Sequence, residues 1–271
     1  MLEGELEGFF ESHDGDAPEW LCVLTVYIDE NIDKASGKCI VAGYVGKSND
    51  WEKYVVAWKE AMGKKKSLHL ADMRLGSNYA PKKYEALLKG LAKVPKACGL
   101  KPFVGSICEK DYGHLVSGTV LESIMEGYVL AILALMDRIA AHLKPDERIE
   151  VVFEQRANGA NQRERAMICW NSLPHHRTSK GKPIVSKWSS MEKCSLTEAS
   201  DYLCYALYHR ELDRNSQKAV LTSPILDEQR YSRNHQGKEV VEKWLKELNA
   251  KRTKPIPKLT AENNKAIRTG L

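Results

Sequence analysis

Short continuous runs of apolar residues alternate along the chain with longer runs that have helical spacing. Short runs rich in β-branched and aromatic residues are typical of buried strands. They predict five strands, at Cys22–Ile28, Lys38–Val45, Lys101–Cys108, Arg148–Glu154 and Ile184–Trp188. The polar connection between the first two strands is long enough for a hairpin with a loose turn.

The longer apolar patterns predict helices between and after these strands. They lie at Asp50–Met62, Pro81–Val94, Thr119–Leu143, 162–172 and Ser195–Asp213, with a further charged helix near Val240–Asn249. Strands followed by helices that alternate with strands indicate a single α/β domain with a mixed sheet. We therefore expect an acidic leader at 1–20, the α/β domain at 21–215, and a charged extension at 216–271.

The charge of the chain is concentrated at its two ends. Its net charge is +5, from 41 basic and 36 acidic residues among 271. The first twenty residues carry seven acids and no Lys or Arg, whereas 251–271 carries six basic residues and only Glu262 as an acid. Two interpretations stay open: solvated ends, or a basic tail that binds phosphates with a leader that screens basic groups.

The seven cysteines and the N-terminus bear on the compartment. No CxxC pair occurs, and the cysteines lie mostly in apolar runs, which is typical of reduced, buried thiols in a cytosolic protein. The N-terminus lacks the basic and apolar regions of a signal peptide. The most apolar stretch, Val120–Met136, is interrupted by Glu122 and Glu126, which indicates a buried helix. We expect a cytoplasmic protein with no membrane contact.

Some familiar kinds of site are not indicated. Neither GxGxxG nor GxxxxGK[ST] occurs, which argues against a nucleotide cofactor. His175 and His176 could pair with Cys169 or Cys194, but no spacing resembles that of a zinc site.

Acidic residues, by contrast, stand where a sheet-built site would need them. They follow predicted strands or the basic run at 64–66, or lie three apart near the start of the last core helix, and they are Asp29, Glu30, Asp72, Glu154, Glu198 and Asp201. Gathered carboxylates repel one another, and Mg²⁺ or Mn²⁺ relieves that repulsion with oxygen ligation. Two such ions stabilise both the attacking and the leaving oxygen of a phosphodiester, so no nucleophilic side chain is needed.

Each of these residues also has a simpler interpretation. Acids at strand ends are common at protein surfaces, and Glu198 could serve only the dipole of its helix. His69, beside Asp72, could be a half-buried histidine. Basic residues near these acids and in the tail could track a phosphate backbone, and they are Lys64, Lys65, Lys66, Arg156, Arg163, Lys251, Arg252 and Lys254. The arginines could equally form the solvated side of a helix.

Four blocks resemble, in order, those of the Domain of Unknown Function 3800 family. They are Tyr27-Ile-Asp-Glu-Asn31, His69-Leu-Ala-Asp72, Val151-Val-Phe-Glu154 and Ser195-Leu-Thr-Glu-Ala-Ser-Asp-Tyr-Leu-Cys-Tyr-Ala-Leu207. The resemblance covers roughly residues 22–213. It departs at Asn31-Ile32, where the family has Ser-Gly, at Glu154, often Asp, and at Glu198, usually Gln.

The resemblance implies a ribonuclease-H-like fold, with a central mixed sheet flanked by helices on both faces. It also implies a metal-binding core of Asp29, Glu154 and Asp201. Glu30 and Asp72 would be auxiliary ligands, and His69 an acid/base or a phosphate contact.

The resulting expectation is a divalent-metal-dependent nuclease that acts on DNA or RNA. Some members of the family accompany bacterial mobile-element or phage-defence loci, which suggests a similar setting for this chain. The alternative is a non-catalytic or regulatory ribonuclease-H-like subunit. Such a subunit would use its charged ends to bind a partner protein or nucleic acid.

Overall fold

The computed structural model describes most of the chain between residues 23 and 247. The described residues are 23–33, 36–65, 67–68, 70, 73, 80–108, 110, 113, 127–154, 160–173, 176–178, 181–191, 195–228, 232–235, 242–244 and 246–247. Its strands are β1 Val23–Asp33, β2 Lys38–Gly46, β3 Lys101–Cys108, β4 Arg148–Glu154, β5 Val185–Met191 and β6 Ser232–His235. Its helices are α1 Ser48–Met62, α2 Ala80–Ala97, α3 Gly127–Ala140, α4 Ala160–Ser172, α5 Ser195–Leu212 and α6 Gln217–Glu228.

The six strands of the described residues form one mixed sheet in the order β5-β4-β1-β2-β3-β6. The first three strands form an antiparallel meander. β4 and β5 continue the sheet beyond β1 as parallel strands, and β6 pairs in parallel with β3. This confirms the predicted α/β class with a mixed sheet.

Helices cover both faces of the sheet, as predicted. Successive side chains of a strand point to opposite faces, so Val26 and Ile28 pack towards α3 and α4 whereas Tyr27 packs towards α1, α2, α5 and α6. We call the first the α3 face and the second the α5 face. Two separate cores result, and the sheet lies between them.

The structure differs most from the sequence-based boundaries in three places. β1 runs five residues beyond the predicted end, because residues 29–33, which are polar except for Ile32, pair with β2. Neither α6 nor β6 was predicted, and α6 packs against α2 and α5 while β6 joins the sheet. α6 and β6 therefore pack with the domain that we expected to end at residue 215. Trp244, from the predicted last helix, is buried in the core of the α3 face.

The described cysteines agree with the expectation of buried thiols. Those that the structure describes are buried and free, and they are Cys39, Cys98, Cys108, Cys169 and Cys204. Within the described part of the chain, no helix is both long enough and apolar enough to span a bilayer.

Gly105 of β3 lies where the backbone of α3 comes closest to the sheet. A Cβ atom there would stand 2.2 Å from the carbonyl oxygen of Ala131 and 2.5 Å from the amide nitrogen of Leu135. Backbone atoms cannot rotate out of the way as a flexible side chain can. We therefore expect Gly105→Ala to lower the free energy of unfolding by about 3 kcal/mol. Urea unfolding monitored by tryptophan fluorescence measures this loss.

Gly90, inside α2, provides the matched control, since a Cβ atom there would meet nothing within 4 Å. Gly90→Ala should stabilise the protein by about 0.5–1 kcal/mol, because alanine is the better helix former. If Gly105→Ala had the same stability as the wild-type protein, this close packing of α3 on β3 would be wrong.

Candidate active site

Asp29 and Glu154 lie directly after the residues through which β1 and β4 pair in parallel. In the register of β1 and β4, Tyr27 faces Val152 and Ile28 faces Phe153, and Asp29 and Glu154 are the residues that follow. By strand alternation both side chains belong to the α5 face, like Tyr27 and Val152. The two acids therefore lie side by side on one face of the sheet, where the parallel pairing of β1 with β4 ends.

Helix α5 lies across this pair of acids and is bonded to both strands. The Ser200 hydroxyl donates to the carbonyl of Tyr27 at 2.9 Å, and the Cys204 thiol lies 3.2 Å from the carbonyl of Asp29. The Thr197 hydroxyl donates to Oε2 of Glu154 at 3.1 Å. These contacts fix the helix over the two predicted acids.

Asp201 is carried by the same side of α5. It follows Thr197 by four residues and precedes Cys204 by three, so it stands between the two residues that touch Glu154 and the Asp29 backbone. The structure thus places Asp29 and Glu154 on one face of the sheet and Asp201 on the helix that covers this face. That their carboxylates share a metal ion stays a prediction. We call these three residues the acid triad.

The environment of Cys204 and Tyr205 shows how closely the acids surround this helix. Burial, and then the charges of Asp29 and Asp201, raise the pKa of the Cys204 thiol well above its usual value. Burial and Asp201 raise the pKa of Tyr205 to about 12. Both groups stay protonated at neutral pH because an anion would be desolvated beside carboxylates. Asp29 is itself only 1% exposed.

Glu30 lies apart from the acid triad. It alternates with Asp29 along β1 and pairs with Val41, a residue of the core on the α3 face. Its side chain therefore projects from the opposite face of the sheet. The structure does not bring Glu30 together with Asp29 as a second ligand.

Glu198 points to another part of the core. Its carboxylate is 3% exposed and accepts hydrogen bonds from Trp58 Nε1 at 2.6 Å and from the Leu68 amide at 2.9 Å. Glu198 is bonded to α1 and to the chain at Leu68, whereas Asp201 lies near Cys204 and Tyr205. A metal-ligand role for Glu198 stays a prediction.

Several predicted residues lie outside the described part of the chain. They are His69, Asp72, Lys66, Arg156, Lys251, Arg252 and Lys254, together with the whole acidic leader and the side chain of Arg163. Lys64 and Lys65 are described, and both are exposed after the end of α1. Arg163 belongs to α4, which packs on the α3 face and so lies across the sheet from the acid triad.

Sequence reasoning missed three residues that shape this face. Thr197 bonds Glu154, and Cys204 contacts the backbone of Asp29. Glu150 is a further buried acid on the α5 face of β4, where its carboxylate accepts from Ser189 and forms an ion pair with Lys187 at 3.2 Å. The period-two pattern of β4 could have identified Glu150, because it precedes Glu154 by four residues. Nothing local marks Thr197 as a partner of Glu154.

Two carboxylates of the acid triad, those of Asp29 and Glu154, accept hydrogen bonds from protein donors. Oδ1 of Asp29 accepts from the Glu30 amide at 2.8 Å, and Glu154 accepts from Thr197. Among the described residues, no three His, Cys, Asp or Glu side chains form a group that could hold a metal ion. Mg²⁺ needs only one or two carboxylates, because it retains several waters, so the oxygen donors of this face still fit that ion.

Replacing Thr197 by Val tests whether its hydroxyl orients Glu154. We expect Thr197→Val to lower the free energy of unfolding by about 0.5–1.5 kcal/mol, the usual net value of one hydrogen bond. If Glu154 holds an ion, Mn²⁺ affinity should also fall by about 10–100-fold, as for other groups that orient a ligand. Urea unfolding and isothermal titration calorimetry measure the two effects.

Thr222 in α6 supplies the control, since it is also a buried threonine but its hydroxyl donates to the carbonyl of Lys218 within its own helix. Thr222→Val should change stability by a comparable amount and leave Mn²⁺ affinity unchanged. Equal losses of Mn²⁺ affinity in the two variants would show that Thr197 has no special relation to the site.

Comparisons of the chain with protein-family models, with curated proteins and with solved structures find no match. Function is therefore inferred from the residues of this face and from the motifs that they belong to.

Proposed function

We propose that this chain is a divalent-metal-dependent nuclease that hydrolyses phosphodiester bonds of DNA or RNA. The observation that supports it most is the acid triad. Asp29 and Glu154 come directly after the stretches through which β1 and β4 pair in parallel, and the helix that carries Asp201 is bonded to both strands. The carboxyl ends of parallel strands are where open α/β sheets bind their ligands.

The strand order supports a ribonuclease-H-like fold and, with it, the resemblance to the Domain of Unknown Function 3800 family. That fold has an antiparallel meander of three strands, with two parallel strands added beside the first. β1, β2 and β3 form such a meander here, and β4 and β5 are added beside β1. Fold alone is a weak argument for activity, so the acids carry the proposal.

Asp29, Glu154 and Asp201 are the residues that would hold Mg²⁺ or Mn²⁺. Such an ion, when bound, stabilises the negative charge that develops on a phosphodiester under attack. The chain itself supplies the arrangement: Thr197 orients Glu154, and the bonds from Ser200 and Cys204 hold Asp201 over β1. Burial of Asp29 keeps its carboxylate away from competing water.

A second candidate is the regulatory subunit, which binds a partner protein or nucleic acid without cleaving it. It is favoured by one observation, the absence among the described residues of a three-ligand group ready to hold a metal ion. The two candidates differ in whether the acid triad takes up a divalent ion.

Crystals soaked in Mn²⁺ distinguish them, because Mn²⁺ gives an anomalous signal. For the nuclease we expect an anomalous peak within ligand distance, about 2.0–2.6 Å, of at least two acid-triad carboxylates. The peak should vanish in Asp201→Asn and persist in Glu150→Gln, whose acid is on the same sheet face but paired with Lys187. No peak at saturating Mn²⁺ would favour the regulatory subunit.

A further inference from the structure

Glu198 is a buried acid of the α5 face that the proposed chemistry does not use. Its carboxylate lies between two N–H donors that are 140 and 130 residues away in sequence, the Trp58 indole and the Leu68 amide. Trp58 and Leu68 are themselves 1% and 0% exposed. A buried carboxylate so far from solvent requires such donors, because desolvating it without them is costly.

The chemistry of this arrangement requires a carboxylate. Both partners are donors, so both carboxylate oxygens act as acceptors, and charge-assisted bonds of this kind are the stronger ones. A glutamine at this position would have one acceptor oxygen for one of the two donors, and its NH₂ group would face the N–H of the other donor. Glu198 also stands in the first turn of α5, where the helix dipole favours a negative charge.

The bond to Leu68 fixes a short buried segment marked by Leu68 and Leu70. Leu68 and Leu70 are both fully buried in the core of the α5 face, and the carbonyl of Leu70 accepts from the Met73 amide at 3.2 Å. Glu198 thus joins α1, this segment and α5 at one point. The same helix carries Asp201 one turn further on.

We propose that Glu198 is a positioning residue: its buried carboxylate, bonded to Trp58 and Leu68, holds the segment marked by Leu68 and Leu70 against the helix that carries Asp201. The part that concerns catalysis rests on the proposed nuclease function. Glu198 is then no ligand of the metal ion, in contrast to the expectation from its spacing to Asp201.

Nuclear magnetic resonance of the tryptophan indoles tests this role in the full-length protein. Glu198→Gln should shift the Trp58 indole proton upfield, because its acceptor loses charge. Trp51 supplies the internal control, since its indole donates to the carbonyl of Thr25 at 3.2 Å and should not move. Trp58→Phe assigns the signal. Titrating wild-type protein with Mg²⁺ should leave the Trp58 signal in place, whereas ligation by Glu198 would shift it.

Hydrogen exchange and calorimetry complete the test. In Glu198→Gln the Leu68 amide should exchange at least about tenfold faster, the factor for losing 1.4 kcal/mol of a charge-assisted bond. Mn²⁺ affinity should stay within about twofold of wild type, while kcat for cleavage falls by about 10–100-fold, as for other positioning groups. If Glu198→Gln fails to fold, Trp58→Phe should still leave Mn²⁺ affinity unchanged and lower kcat.

The outcomes separate the two proposals. Lost Mn²⁺ affinity with a protected Leu68 amide would make Glu198 a ligand and overturn the positioning role. Unchanged Leu68 exchange in Glu198→Gln would overturn it as well. If wild-type protein neither binds Mn²⁺ nor cleaves nucleic acid, the nuclease proposal fails, and the exchange of Leu68 still decides whether Glu198 holds this segment.

Discussion

Replacing Asp29 by Asn should reduce Mg²⁺- or Mn²⁺-dependent cleavage of nucleic acid by at least about a thousandfold, the upper range for loss of one group that stabilises transition-state charge. Asp29 is 1% exposed and lies in the central strand β1, directly after the residues that pair with β4. An amide at this position keeps the size of the side chain and an acceptor oxygen for the Glu30 amide, but not the negative charge. Initial rates on a labelled oligonucleotide at saturating metal measure the change.

The fold should survive this substitution. Carboxylates that share a face repel one another when no ion is bound, so Asp29→Asn should leave the melting temperature unchanged or raise it. Glu150→Gln is the control: it also removes a buried acid from the α5 face, but one already neutralised by Lys187. It should cost stability and leave the rate per folded molecule near that of wild type. Undiminished cleavage by Asp29→Asn would contradict the proposed metal-dependent mechanism.

The sequence predicted the strands where their residues are buried and apolar, and it missed the strand residues that are polar. β3 and β4 begin and end at the predicted residues, because their apolar runs coincide with the buried stretches. The end of β1 and the whole of β6 were missed, since their residues are polar and are held in the sheet by backbone hydrogen bonds that any side chain permits. A polar edge strand leaves no hydrophobic pattern to detect.

The candidate site shows the same division between local and long-range information. Asp29 and Glu154 could be found because each directly follows the apolar run of its strand. The partners of each acid were decided by tertiary structure: strand alternation puts Glu30 on the opposite face from Asp29, and the distant donors Trp58 and Leu68 bond Glu198. Contacts between residues more than a hundred positions apart leave no trace in spacing along the chain.

Removing the basic tail, residues 251–271, should make nucleic-acid binding much less sensitive to salt. The tail lies outside the described residues, and its sequence carries six Lys and Arg against one Glu. If all six contact phosphates of duplex DNA, they contribute about −0.9 each to the log–log slope of affinity against salt. The full-length protein should then lose about a thousandfold in affinity between 50 and 200 mM salt, and the truncated one far less.

Two variants make this measurement decisive, with fluorescence anisotropy of a labelled duplex as the readout at both salt concentrations. Truncation removes the chain, whereas a full-length tail with its six basic residues replaced by Gln removes only the charge. Loss of phosphate contacts predicts the same flattened slope for both variants and unchanged Mn²⁺ binding. If the tail instead binds another protein, either variant should disrupt that complex, and both should bind DNA with the slope of the wild-type protein. An unchanged slope would refute a phosphate-binding tail even if Asp29→Asn abolished cleavage, because the acid triad and the tail are separate parts of the chain.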